Sequence, residues 1–114
     1  MRRAAFTFAA AVLALAGAAG AQTPEAADVI ADGRAVAQNL CARCHAIDHD
    51  LKSPRLDAPP FSTIEETYKL PVLEEELIEG IKLGHPDMPQ FQLPPRGVDS
   101  LLAYLHSIQK KPAR

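Results

Sequence analysis

The chain has 114 residues, enough for one domain, and its 12 basic and 14 acidic side chains give a formal charge of −2. Hydrophobic residues make up 47%, but alanine inflates that share; with no Trp, 2 Tyr and 4 Phe, an all-protein core would be thin. Small chains in that position lean on a metal or cofactor, and the acidic balance argues against nucleic-acid binding, which asks for a basic patch.

At the front, Met1-Arg2-Arg3 is a short positive region, residues 4–18 are an apolar run, and Ala19-Gly20-Ala21 fits a small-x-small cleavage site. The expectation is a signal peptide over residues 1–21 and a mature domain over 22–114. An uncleaved anchor is the competing reading, because no charge falls between Arg3 and Glu25 and the stretch approaches the ~20 residues that span a bilayer. No cysteine lies near the cut, which excludes lipid attachment there. Losing Arg2 and Arg3 but no acid leaves 10 basic against 14 acidic side chains, a mature charge of −4.

Residues 22–27 read as a frayed leader. From Asp28, the spacing of Val29, Gly33, Val36 and Leu40 predicts an amphipathic helix of about three turns. Gly33 lies inside it, where glycine costs ~1 kcal/mol against alanine; either the helix tolerates it, or another helix approaches closely there. The helix runs into Cys41-Ala42-Arg43-Cys44-His45, the C-x-x-C-H signature of c-type haem attachment. Two thiols at that spacing reach the two vinyl groups on one edge of a porphyrin and form thioethers, and the histidine gives a nitrogen to the iron.

Residues 47–58 form a polar loop without periodicity, ending in Ala58-Pro59-Pro60-Phe61. A carbonyl in this proline pair can accept the other ring N–H of His45, fixing its tautomer and raising its basicity; a plain loop-to-helix joint is the alternative. Ser62 and Glu65 match a capping box, predicting a short helix over 63–69. Pro71 suits the start of a further helix, with Leu73, Leu77, Ile81 and Gly84 on one face, a solvated row of Glu74, Glu75, Glu76 and Glu79 on the other, and Gly84 as the stop.

Met88 is the one methionine left after Met1 departs, and it stands between Pro86 and Pro89 in a stiff loop outside any apolar stripe. Methionine opposite histidine is an electron-transfer haem ligation that raises the reduction potential, so Met88 is the candidate sixth ligand. The rival histidines fit less well. His85 is followed directly by Pro86, His49 is too close behind His45, and His106 falls on a polar helix face. The last predicted helix covers 98–109, with Val98, Leu101, Leu102, Leu105 and Ile108 as its stripe. Tyr104 flanks that stripe, where it can meet the first helix or the haem edge. Lys110 and Lys111 suit the helix end, and Pro112 stops it.

These residues resemble the class I cytochrome c family over nearly all of the mature chain. The likeness is carried by Gly33, the Cys41–His45 motif, Pro59 and Pro60, Met88 and Tyr104, and it is closest to small periplasmic proteobacterial members with a Met-Pro-x-Phe loop, here Met88-Pro89-Gln90-Phe91. It implies an all-α cytochrome c fold, about four helices wrapped around one covalently bound haem c. First and last helices would cross near Gly33 and Tyr104, a proline carbonyl would hold His45, and His45 and Met88 would ligate the iron. It further implies a soluble periplasmic electron carrier serving redox-protein donors and acceptors, without stable membrane insertion, and no enzyme; no nucleophile-and-base set or carboxylate pair stands out. The lysine-rich surface of mitochondrial members is missing. Three other readings stay open: a haem sensor or catalyst with a labile sixth position, a fixed electron-transfer subunit of a larger oxidoreductase, and a non-haem use of the cysteines. The last would be a redox dithiol, which wants a βαβ context, or a zinc site completed by His49, which leaves Met88 without a role.

Overall fold

The computed structural model describes residues 23–80 and 87–110. They form three α-helices and one 3₁₀ helix, with no strand among them: α1 Pro24–Leu40, the 3₁₀ helix Phe61–Glu66, α2 Leu70–Glu79 and α3 Pro95–Ile108. The fold is all-α, as expected. The expected signal peptide and its anchor alternative, together with Ile81, Gly84, His85, Lys111 and Pro112, lie outside the described residues. Among those described, no helix is long and apolar enough to cross a membrane.

α1 begins earlier than its apolar spacing suggests. Thr23 caps it, its Oγ1 accepting from Ala26 N–H at 3.3 Å, and Pro24 opens the first turn, where its missing N–H costs nothing. Residues 24–27 of the expected leader are therefore helix, for a reason written in Thr23-Pro24-Glu25 rather than in hydrophobic periodicity. α1 packs on α3 as the main helix pair, and Gly33 is the contact point. A Cβ on Gly33 would overlap the Ser100 carbonyl and stand 2.8 Å from Tyr104 Cβ. Close approach, not tolerance, explains this glycine.

The segment after Phe61 departs from the capping-box expectation. Ser62 is inside the 3₁₀ helix, fully buried, and its hydroxyl has no partner among the described residues. The Glu65 N–H, which a capping serine would bind, donates instead to Gln109 Oε1 at 3.1 Å, and Gln109 Nε2 donates to the Phe61 carbonyl at 2.7 Å. Lys110 N–H adds a bond to the Ser62 carbonyl at 2.8 Å. One amide side chain just past α3 thus supplies both a donor and an acceptor to the 3₁₀ helix. A capping box is local, whereas this clamp reaches across 44 residues of chain.

α2 carries Pro71 in its first turn and buries Leu73 and Leu77. It stops four residues before Gly84, because Gly80 turns to φ 101°, a conformation that side-chain-bearing residues rarely adopt. α3 starts at Pro95, three residues ahead of its apolar stripe, with Pro94 as its N-cap. It buries Val98, Leu101, Tyr104, Leu105 and Ile108 and packs on α1, α2 and the 3₁₀ helix alike. His106 is exposed, as its face predicts.

Candidate functional site

The Cys41–His45 motif winds on from α1 as one further turn. Cys41 and Ala42 N–H groups both bond the Ala37 carbonyl, and Cys44 and His45 N–H groups both return to the Cys41 carbonyl, at 3.1 and 2.9 Å. That turn carries both thiols and the imidazole to the wall of a cavity of about 730 Å³, within the usual size range of cofactor pockets, ~300–1,000 Å³. α1 contributes Val36 and Leu40, the 3₁₀ helix Phe61 and Ile64, α2 Leu73 and Leu77, and α3 Leu101 and Leu105. Met88 and Phe91 line it from the loop between α2 and α3. Every helix therefore turns apolar side chains toward one space, while Arg43, Arg55, Asp57 and Asp87 bring charge to its wall.

His45 is buried and held from two sides. Its Nδ1 lies 2.7 Å from the Pro59 carbonyl oxygen. A carbonyl only accepts, so Nδ1 carries the proton, and in the neutral ring Nε2 keeps its lone pair for a metal. Phe61 packs against the ring, centroid to centroid 5.0 Å at 39°. The Phe61 N–H donates to the Ala46 carbonyl at 2.9 Å, and the Ala46 N–H donates to Ser53 Oγ at 3.0 Å, which ties the proline segment to the attachment turn. Of the two candidate prolines, Pro59 supplies the carbonyl and lines the cavity. Pro60 caps the 3₁₀ helix and lines a neighbouring hollow instead.

Tyr104 is not among the cavity-lining residues. It is buried at the α1–α3 crossing, and its one hydroxyl proton is shared between the Ile47 carbonyl and Asp48 Oδ1, both at 2.7 Å. Arg34 grips Asp48 with two bonds of 2.9 and 2.8 Å. The guanidinium, then the phenol, hold the Asp48 carboxyl below its ordinary range. Burial, reinforced by the Asp48 hydrogen bond, pushes the Tyr104 phenol up to about 12. This network lies three residues beyond His45 and anchors the exit from the attachment turn.

Burial also pushes the Cys41 thiol up to about 11. A redox dithiol works through a thiolate, which needs a lowered value, so the environment of Cys41 runs against that chemistry. No cluster of three or more metal-binding His, Cys, Asp or Glu side chains exists among the described residues. Sequence spacing did not single out Phe61, Ile64, Tyr68, Arg55, Asp57 or Asp87 as wall residues. The position of Phe61 directly after the proline pair, with Ile64 one turn on, was the available signal for the first two.

The fit to a haem rests on this donor set: two thiols and an imidazole on one turn, a thioether on a facing loop, and an apolar lining between them. A protein-family model, Cytochrome c, matches residues 30–109. No curated protein and no solved structure matches the chain.

Proposed function

The chain belongs to the cytochrome c family, and from that premise we propose that it is an exported periplasmic carrier of single electrons whose iron is closed by His45 and Met88. Membership brings haem-based electron transfer and one covalent haem c, attached through Cys41 and Cys44. The single observation that carries the closed-iron reading is that His45 and Met88 line one cavity with both cysteines. When bound, the haem supplies the one-electron couple of its iron. The chain's own residues do the rest. The Pro59 carbonyl fixes the His45 tautomer and makes its free nitrogen a stronger donor. The apolar walls exclude water, and a thioether ligand favours the reduced state and raises the potential. Ligands held by a packed turn and a proline-flanked loop keep their places in both oxidation states, so little rearrangement accompanies transfer. Export is supported by the three-part pattern of residues 1–21. The partners are redox proteins of the same compartment.

The test is the oxidised holoprotein's weak red absorption band of iron–sulfur ligation and its loss in Met88→Ala. That variant is expected to show a lower reduction potential and to bind cyanide or CO promptly. A wild type without the band that binds these ligands at once would favour a sensor or catalyst, and an unchanged spectrum and potential in Met88→Ala would refute the assignment. The mass of the exported product reports haem attachment and removal of residues 1–21 together.

A further inference from the structure

We propose that Arg55 is a positioning residue that clasps the methionine loop to the haem-attachment turn through Asp87, and so limits how often the sixth iron position opens. The proposal rests on the reading of Met88 as iron ligand and adds the device that holds it in place.

Arg55 is fixed at both its ends. Its backbone N–H donates to the Cys44 carbonyl at 3.1 Å, which binds this loop residue to the turn that carries both thioether positions. Its guanidinium reaches the methionine loop, where Nη2 donates to Asp87 Oδ2 at 2.8 Å. Asp87 directly precedes Met88, and Arg55, Asp87 and Met88 all line the cavity. Asp57, two residues along from Arg55, receives Nε at 2.6 Å and Nη2 at 3.2 Å and so aims the fork at Asp87. The far end of the methionine loop is tied separately to α2, with Leu93 N–H on the Leu77 carbonyl at 3.1 Å and Gln92 Nε2 on the Ile78 carbonyl at 3.2 Å. Residues 87–93 are thus tied at both ends, and the Asp87 end is tied to the attachment turn by this ion pair.

That pair is partly solvated, with side-chain exposures of 36% for Arg55 and 64% for Asp87, so salt screens it and its strength is that of an exposed pair. Swinging Met88 away from the iron carries Asp87 with it and breaks the bond. The planar guanidinium grips Asp57 with two nitrogens and still bonds Asp87; a lysine ammonium keeps the charge and loses the fork.

The experiment is stopped-flow binding of imidazole to the oxidised holoprotein, at a pH where imidazole is neutral, at low and high salt. Arg55→Gln and Asp87→Asn are each expected to raise the binding rate about two- to fivefold, the size of an exposed ion pair. The double variant should be no faster than the faster single one, because both remove the same bond. Asp57→Asn, which leaves the bond to Asp87, should give a smaller increase, and Arg55→Lys should speed binding despite its charge. High salt should speed the wild type and leave Asp87→Asn unchanged. An Asp87→Asn protein that binds imidazole at the wild-type rate overturns the clasp, even if Arg55→Gln is faster, and so do single effects that multiply in the double variant. A wild type lacking the iron–sulfur band would overturn the ligation reading and the clasp together. The band present with Asp87→Asn unchanged overturns the clasp alone.

Discussion

At the scale of single residues, Tyr104 shows how a side chain outside the cavity lining braces the attachment turn. The phenol joins α3 to Ile47 and Asp48, just beyond the attachment turn. Tyr104→Phe keeps the ring and removes a buried hydroxyl, leaving the Ile47 carbonyl short of a partner. A loss of about 1–2 kcal/mol is expected by denaturant titration of the holoprotein at neutral pH. The pH dependence has a definite sign. The folded phenol titrates at about 12, above the ordinary tyrosine value of ~10, so the fold disfavours the phenolate. The stabilisation is complete below ~10 and is lost as pH rises toward 12. Asp48 acts in the opposite sense: its folded value is lowered, so its contribution is present above ~3.9 and fades as pH falls through the depressed value. The stability difference between wild type and Tyr104→Phe should therefore hold near neutrality and shrink at both extremes; a difference constant from acid to alkali would separate Tyr104 from this network.

At the scale of elements, the α1–α3 crossing rests on one missing side chain. Gly33→Ala places a Cβ against the Ser100 carbonyl, which belongs to a helix backbone and has no rotamer to yield. Overpacking a core commonly costs about 1–3 kcal/mol, and a clash with backbone belongs at or above the top of that range. Thermal unfolding of the holoprotein should show a Tm lowered by ten degrees or more, on the order of what 3 kcal/mol does to a domain of this size, while a mild shift would mean the helices slide apart freely. Much of this arrangement was legible beforehand. The α3 stripe, Leu73 and Leu77 of the α2 stripe, the exposure of His106 and the attachment motif follow from local spacing, because an amphipathic helix writes its buried face every three or four residues. What was not legible depends on partners remote in the chain or on signals other than spacing. Ser62 and Glu65 have the pattern of a local cap, yet the Glu65 N–H goes to Gln109, and no periodicity announces that. Thr23-Pro24 did mark the true start of α1, but a reading keyed to apolar spacing passes over a cap. In the site, the choice between Pro59 and Pro60 turned on which carbonyl faces Nδ1, a matter of backbone direction. The salt bridge from Arg55 to Asp87 spans 32 residues and two loops, where charge alone gives no register.

At the scale of the whole molecule, the elements that pack on α3 also share the walls of one cavity. α1, the 3₁₀ helix, α2 and α3 each turn apolar side chains toward the cavity of about 730 Å³, and the largest side chains buried below 2% exposure are only a valine and a serine. The thin aromatic content of the sequence has its counterpart here, in a cavity of a size that a macrocycle would fill. The cavity is open at its rim, where Arg55 and Asp87 are partly exposed, so without the macrocycle its apolar walls face water and lose burial worth ~25 cal/mol per Å². Cys41→Ala combined with Cys44→Ala should for that reason do more than lose a colour. The product should have the mass of polypeptide without haem, a far-UV circular dichroism signal well below that of the holoprotein, and no cooperative thermal transition. The α1–α3 pair is the element set best able to keep residual helix, since its crossing at Gly33 and Tyr104 lies away from the cavity. A colourless variant that kept full helicity and melted at the holoprotein's Tm would show that the helices hold one another without the macrocycle, and the cavity would then be a binding pocket in a self-sufficient fold.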